Sequence, residues 1–205
     1  MAEETIFRIV LGVLVVVMYV PRKIHEQRMR VAARTGLVQD QDSRGTLAWQ
    51  SLLLGITLWA VILYLIKPVW VNWASLSFPG WLRWLGAGLG VLGTGLLIWT
   101  HQALGDNFFG GLKIREGHEL VTRGPYRWLQ HPMYVAFTVL GLGYLLLSAN
   151  GLVGLPWLVG TLLTIASRLR SEEAMLQEQF GKAYEDYRRR TGSFLPRVRR
   201  RQEEP

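Results

Sequence analysis

The hydrophobic residues of this chain fall in separate blocks, and nearly all of the charged residues lie between them. A helix needs about 20 mostly apolar residues to cross a bilayer, or somewhat fewer when its flanking side chains reach the headgroups. The pattern therefore predicts an all-α integral membrane protein with a single domain over residues 1–205. We expect about five transmembrane helices, at residues 6–20, 47–66, 82–104, 133–148 and 152–167.

The first block also resembles the apolar part of a secretory signal peptide. Glu3 and Glu4 stand where such a peptide carries positive charge, and no small-x-small cleavage site precedes Pro21. We therefore expect a retained transmembrane helix.

The basic residues indicate how the helices are oriented. Of the 23 lysines and arginines, all but three lie in the segments 21–46, 105–131 and 168–205. Five spans place these segments on one side of the membrane, and positively charged loops favour the cytoplasmic side. We expect a cytoplasmic C-terminus and an outer N-terminus, with anionic lipid headgroups rather than nucleic acid as the partner of this charge.

Three connecting segments carry further structural predictions. Residues 21–45 form either a short interfacial helix or a solvated connector. Only a few residues, including Asn150 and Gly151, join the last two blocks, which indicates an antiparallel helical hairpin. Residues 172–190 repeat their apolar positions at helical spacing, so they predict a C-terminal amphipathic helix.

The third block contains a glycine pattern with two interpretations. Gly88, Gly90 and Gly93 spell the G-x-G-x-x-G dinucleotide fingerprint, but no strand precedes these glycines, and no acidic residue follows them at the distance that the fingerprint requires. Close helix packing through Gly86-x-x-x-Gly90 is the better interpretation.

Residues 105–134, between the third and fourth blocks, concentrate the candidate chemistry. This polar, Gly-rich and aromatic segment predicts a folded cytoplasmic cap that leads into the fourth helix. Ligand-contacting residue types crowd together in it: His118, Tyr126, Arg127, His131 and Tyr134. In isolation, His131 is also a candidate for capping its own helix, since it directly precedes Pro132.

Arg168 and Glu172, at the predicted end of the fifth helix, also have two interpretations. They are spaced for an i,i+4 ion pair in a cluster that ends a transmembrane segment. Alternatively, Arg168 faces an anionic ligand while Glu172 accepts hydrogen bonds, since charges at this depth are costly without a function. The chain has no cysteine, and its histidines lack the spacing of a zinc site, so we expect no metal.

The C-terminal half resembles the isoprenylcysteine carboxyl methyltransferase family. The resemblance rests on the order and spacing of the following elements: Leu120-Val121-Thr122-x-Gly124-x-Tyr126, His131-Pro132-x-Tyr134, Arg168-x-x-x-Glu172-Glu173 and Phe180-Gly181-x-x-Tyr184-x-x-Tyr187. It implies a membrane methyltransferase that uses S-adenosylmethionine and acts on a lipophilic or prenylated substrate, without a Rossmann domain.

The resemblance also implies roles for individual residues. Arg168 would face the substrate as the catalytic residue, and Glu172 would hold the polar end of the cofactor. The other implied cofactor contacts are His118, Glu119, Leu120, Val121, Tyr126, His131, Pro132, Met133 and Tyr134. The family usually has Arg before His-Pro, whereas this chain has Gln130.

Four functions are compatible with these residues. The first is carboxyl O-methylation of an isoprenylcysteine-like substrate, whose carboxylate is an ionised nucleophile at neutral pH and needs mainly to be positioned. The second is N-methylation of a phospholipid amine, which requires removal of a proton. The third is an NADPH-dependent membrane reductase, since sterol reductases share a similar C-terminal half, and the fourth is a non-catalytic membrane protein.

Overall fold

The computed structural model describes residues 2–32, 39–40, 44–105, 113–114 and 119–197. Over these residues the regular secondary structure is helical apart from two two-residue strands, β1 (Gln39–Asp40) and β2 (Lys113–Ile114), which pair antiparallel. Short 3-10 helices occupy Pro68–Ala74 and Gly124–Arg127. The helices are α1 (Ala2–Ala32), α2 (Arg44–Ile66), α3 (Gly80–Leu104), α4 (Pro132–Ser148), α5 (Gly151–Phe180) and α6 (Lys182–Arg190).

The helices agree with the predicted membrane fold. Within the described residues, three segments are long and apolar enough to cross a membrane: Ala48–Ile66 of α2, Gly80–Leu104 of α3 and Gly151–Phe180 of α5. The fourth predicted span, α4, is a shorter apolar helix. The first predicted block lies in α1, which exposes Ile9, Val13 and Val16 by more than half, as expected of a lipid-facing surface. The protein is an integral membrane protein.

Glycines bring α3 and α4 into direct backbone contact. A Cβ atom on Gly86 would lie 2.4 Å from the backbone nitrogen of Leu147 in α4. A Cβ atom on Gly143 in α4 would lie 2.7 Å from the backbone nitrogen of Gly90 in α3. No such contact surrounds Gly88, where a Cβ would have nothing within 4 Å. The helix-packing interpretation of Gly86-x-x-x-Gly90 is thus confirmed.

The connection between α4 and α5 forms the predicted hairpin. Ala149 adopts the left-handed conformation with φ of 47°. Asn150 then caps α5, because its Oδ1 accepts a hydrogen bond of 3.0 Å from the backbone nitrogen of Leu152. Its Nδ2 donates to the carbonyl oxygen of Val71 at 2.8 Å, which fixes the turn to the 3-10 helix between α2 and α3.

Two predicted boundaries were wrong. The fifth helix does not end at residue 167, and residues 172–180 are not part of a separate helix, because α5 continues to Phe180. A charged cluster does not interrupt backbone hydrogen bonding, whereas Gly181, with φ of 50°, takes a conformation that side chains disfavour and so ends the helix. Similarly, residues 21–32 continue α1, and most of the segment from there to Gly45 lies outside the described residues.

A hydrogen-bonded cluster holds four helices together at the end where α3 begins and α4 ends. The Arg83 guanidinium of α3 binds the Glu4 carboxylate of α1 at 2.5 Å, the Tyr64 hydroxyl of α2 at 3.1 Å and the carbonyl oxygen of Leu147 in α4 at 3.0 Å. Tyr64 also donates to Glu4 at 2.8 Å. These bonds fix one end of the bundle, and the opposite end carries the described cap residues 119–131.

Candidate functional site

A cavity of about 360 Å³ opens at the cap end of the bundle. Polar and aromatic residues from the cap, α5 and α6 line one part of it, including Glu119, Tyr126, His131, Tyr134, Glu172, Tyr184 and Tyr187. Deeper along the helices the lining becomes mostly apolar, with Leu53, Leu54, Phe137, Pro156 and Trp157. The cavity therefore offers one polar part and one apolar part within a single volume.

Helix α5 lines the cavity over most of its length. Its lining residues form a broad row from Pro156 to Phe180: Pro156, Trp157, Gly160, Thr161, Thr164, Arg168, Glu172, Met175, Leu176 and Phe180. At 1.5 Å of rise per residue this row extends roughly 36 Å. Arg168 lies near its middle, where the apolar part of the cavity meets the polar part. Among the described residues that line the cavity, Arg168 is the one lysine or arginine.

The structure brings most of the predicted site residues together. Nine of them line the cavity: Glu119, Leu120, Val121, Tyr126, His131, Met133, Tyr134, Arg168 and Glu172. Pro132 is buried at the first position of α4 and is not part of the lining. His118 lies outside the described residues.

His131, Tyr134 and Glu172 form a connected group at the polar end. The Tyr134 hydroxyl donates a hydrogen bond of 2.8 Å to Oε2 of Glu172. Nδ1 of His131 lies 3.7 Å from Oε1 of the same carboxylate, and the His131 ring stacks on Tyr134 with a centroid distance of 5.8 Å. His131 makes no side-chain hydrogen bond that caps α4, so the capping interpretation is not supported.

Tyrosines from α6 complete the polar end. The Tyr187 hydroxyl lies 2.8 Å from the carbonyl oxygen of Tyr126 and 3.0 Å from that of Leu129, so it ties α6 to the cap. Burial raises the pKa of Tyr184 to about 12 and also raises the pKa of Tyr126 and of Tyr187. All three hydroxyls are therefore protonated at neutral pH and none of them serves as a base.

Two buried polar atoms at this end have no hydrogen-bond partner among the described residues: Nε2 of His131 and the hydroxyl of Tyr184. Nε2 lies 3.5 Å from Oε1 of Glu173, which is within ion-pair distance but lacks hydrogen-bond geometry. Leaving such groups unpaired is costly, and both side chains line the cavity. The polar end thus suits a ligand that carries hydrogen-bonding groups.

Sequence reasoning missed the contribution of α2. Trp49, Gln50, Leu53, Leu54 and Thr57 line the cavity from that helix, and Nε2 of Gln50 donates to Oγ1 of Thr164 in α5 at 3.2 Å. The usable signal was polarity within an apolar helix, since Gln50 and Thr57 are polar residues in a mostly hydrophobic block. Tyr184 and Tyr187 were part of the family motif but had no assigned role.

Comparison with known proteins decides the family. A family model described as phospholipid methyltransferase matches residues 81–183, which is half of the chain and includes most of the cavity lining. The chain belongs to this family. The match begins in α3 and ends in α6, so it leaves α1 and α2 outside.

Several proteins that are similar to this chain are isoprenylcysteine methyltransferases. Protein-S-isoprenylcysteine O-methyltransferase B of Arabidopsis thaliana is 31% identical over 128 residues, which cover 59% of this chain and 65% of the relative. The enzyme of Tribolium castaneum is 30% identical over 126 residues, covering 58% of this chain and 45% of the relative. The matched region thus spans about half to two thirds of these relatives, and the expected resemblance to their family is confirmed.

A solved structure shares the fold. It is the eukaryotic intramembrane Ras methyltransferase, isoprenylcysteine carboxyl methyltransferase, with a TM-score of 0.52 and 23% sequence identity. The alignment covers 76% of this chain and 53% of that chain. At this identity the likeness describes the arrangement of the helices.

Proposed function

We propose that the protein is a membrane methyltransferase that transfers a methyl group from S-adenosylmethionine to the carboxylate of an isoprenylcysteine-like lipophilic acceptor. The observation that carries this proposal is the position of Arg168 on α5. It lies between a polar part of the cavity, suited to a charged cofactor, and an apolar part, suited to a lipid chain.

The polar end matches the chemistry of the cofactor. Glu172 and Glu119 bring negative charge to this part of the cavity, and the cofactor carries a positive sulfonium and an ammonium group. His131 and Tyr184 each have a buried polar atom without a hydrogen-bond partner among the described residues. Together with Tyr134 and Tyr126, these side chains would hold the cofactor, which when bound supplies an electrophilic methyl group.

Arg168 gives the acceptor its orientation. A guanidinium donates two parallel hydrogen bonds to a carboxylate, which fixes both the position and the plane of that group. With the cofactor bound, this orientation would direct one carboxylate oxygen toward the methyl group that the cofactor supplies, and the cofactor would leave as the neutral thioether. The carboxylate is ionised at neutral pH, so no proton has to move and catalysis depends on alignment. The lipid chain of the acceptor would lie along Leu53, Phe137 and Trp157.

Phospholipid amine N-methylation is the second candidate, because the matching family is described as phospholipid methyltransferase. An ammonium headgroup has to lose a proton before its nitrogen attacks, and Glu172 or His131 would accept that proton. The charge of Arg168 opposes this alternative, since like charges repel in a cavity of low polarity.

Two titrations and two assays test the proposal. Calorimetric titration of the purified protein with S-adenosylhomocysteine and with NADPH separates a methyltransferase from a reductase before any acceptor is known. Methyl transfer is then measured with a farnesylated cysteine analogue and with phosphatidylethanolamine. We expect binding of S-adenosylhomocysteine and methylation of the cysteine analogue. Binding of NADPH alone would overturn the proposal.

The same proposal assigns the cap end of the bundle to the cytoplasmic side, since Arg123, Arg127 and the three arginines in the last turn of α6 lie at that end. The chain has no native cysteine, so single cysteines can be introduced for labelling. A cysteine at position 113, in β2, should react from the cytoplasmic side. Labelling of that position from the outer side alone would reverse the topology.

A further inference from the structure

The residues after α6 fold back against the cap. Leu129 and Gly192 form a parallel bridge, in which Gly192 donates to the carbonyl oxygen of Trp128 at 3.1 Å. The backbone nitrogen of Gln130 donates to the carbonyl oxygen of Gly192 at 2.8 Å. The backbone nitrogen of His131 donates to the carbonyl oxygen of Ser193 at 3.1 Å. We call residues 191–194 the C-terminal strap.

Gln130 directs its side chain to the strap. Its Nε2 donates to the carbonyl oxygen of Thr191 at 2.9 Å and lies 3.3 Å from that of Arg188, at the end of α6. Its Oε1 lies 3.5 Å from the hydroxyl of Ser193. The Gln130 side chain is buried, and so is Thr191. The side-chain amide of Gln130 thus bonds to one carbonyl oxygen of the strap and one of α6. These bonds fix the strap more firmly than the backbone hydrogen bonds alone would.

The strap in turn carries a ring that packs against His131. Phe194 lies 5.8 Å from His131 between ring centroids, and Tyr134 lies at the same centroid distance. His131 is therefore in contact with one aromatic ring from the strap and one from α4. A buried imidazole packed in this way has little freedom to rotate.

We propose that Gln130 and Phe194 are positioning residues for the cofactor end of the cavity. Gln130 fastens the strap to the cap, and Phe194 holds the His131 ring in the orientation in which its Nε2 is available to a ligand. This inference rests on the proposed function, and it gives Gln130 a role that differs from contact with the substrate. Neither residue takes part in methyl transfer itself.

Amide hydrogen exchange and ligand affinity test this inference together. Gln130→Met keeps the length of the side chain and removes its donor, whereas Phe194→Leu removes the ring. In both variants we expect the backbone amides of Gln130, His131 and Gly192 to exchange about tenfold faster or more, because these amides form the hydrogen bonds between the cap and the strap. We also expect the affinity for S-adenosylhomocysteine to fall about tenfold, the size of effect that follows from misplacing one hydrogen-bonding group.

Two variants serve as matched controls. Leu195→Ala changes the next residue, which is 78% exposed, and it should alter neither exchange nor affinity. Phe194→Tyr keeps the ring and should retain wild-type affinity. If either test variant fails to fold, the other decides the question.

Several results would overturn the inference: unchanged exchange in both test variants, faster exchange with unchanged affinity, or an equal loss of affinity in Leu195→Ala. A wild-type protein that does not bind S-adenosylhomocysteine would instead overturn the proposed function. In that case the exchange measurement still decides whether Gln130 and Phe194 hold the strap.

Discussion

Tyr134 and Glu172 are joined by a hydrogen bond of 2.8 Å from the tyrosine hydroxyl to Oε2 of the carboxylate. Tyr134 lies in the first turn of α4, and Glu172 lies far along α5, beyond the point where we expected that helix to end. The bond links two helices across the polar end of the cavity. It also orients the carboxylate that we propose holds the cofactor.

Replacing Glu172 should therefore weaken cofactor binding. In Glu172→Ala we expect the affinity for S-adenosylhomocysteine to fall about ten- to a hundredfold, since a hydrogen bond to a charged group in a partly desolvated site contributes about 1.5 to 3 kcal/mol. His131→Ala should lower it by a similar factor. Calorimetry measures both variants, with Glu178→Ala as the control because Glu178 is exposed on the same helix and is not part of the lining.

Unchanged affinity in both variants would remove the cofactor site from this end of the cavity. Tyr134→Phe adds a finer test, because it deletes only the donor of the bond to Glu172. The combination of Tyr134→Phe with Glu172→Ala should lose less than the sum of the two single losses, since the two residues are in contact.

Tyr184 and Tyr187 should respond differently to loss of the hydroxyl. The Tyr184 hydroxyl is buried without a hydrogen-bond partner among the described residues, so Tyr184→Phe should keep or increase the stability of the ligand-free protein. The same change should weaken binding of S-adenosylhomocysteine if that hydroxyl contacts the cofactor. Tyr187→Phe loses bonds to the cap backbone and should cost about 1 kcal/mol of stability.

Thermal unfolding in detergent, with and without S-adenosylhomocysteine, measures both effects. If Tyr184→Phe destabilises the ligand-free protein as much as Tyr187→Phe does, the Tyr184 hydroxyl has a partner within the protein and is not available to a ligand.

Gly143 and Gly88 provide a matched pair for the packing of α3 against α4. A methyl group on Gly143 would lie 2.7 Å from the backbone nitrogen of Gly90 and 3.0 Å from the carbonyl oxygen of Gly86. Backbone atoms cannot move aside as a side chain can, so Gly143→Ala should cost about 1 to 3 kcal/mol of stability or more. Gly88→Ala adds the same methyl group where nothing lies within 4 Å.

We therefore expect Gly88→Ala to unfold at or slightly above the wild-type temperature, since alanine favours a helix over glycine. Equal unfolding temperatures for the two variants would show that α3 and α4 do not approach as closely as described.

The sequence was informative wherever local chemistry decides the structure. The hydrophobic blocks predicted the membrane helices, and the positions of Asn150 and Gly151 predicted the hairpin. The length of α5 was misjudged because the charged residues from Arg168 to Glu173 suggested an interface, although charge alone does not break a helix. The break at Gly181 depends on a left-handed conformation that glycine permits but does not require.

The composition of the cavity was predictable only in part. The motif residues gave the polar end, including His131, Tyr134 and Glu172. Gln50 lies more than a hundred positions from its partner Thr164, and such long-range contacts leave no periodic pattern in one sequence. The pairing of Gln130 with the strap was hidden for the same reason.

Arg168 offers the most direct test of the proposed reaction. Arg168→Lys keeps the positive charge but loses the planar pair of donors that would orient a carboxylate. A cation that only anchors the end of a membrane helix would tolerate this change, because either side chain reaches the headgroups. Arg170→Lys is the matched control, since Arg170 is exposed nearby on α5 and is not part of the lining.

The decisive measurement is methyl transfer to a farnesylated cysteine analogue and to phosphatidylethanolamine by the wild type, Arg168→Lys and Arg170→Lys. We expect the wild type to methylate the cysteine analogue, Arg168→Lys to lose at least about tenfold in rate with unchanged affinity for S-adenosylhomocysteine, and Arg170→Lys to match the wild type. Wild-type activity on phosphatidylethanolamine alone, unaffected by Arg168→Lys, would contradict carboxyl methylation and favour the phospholipid amine.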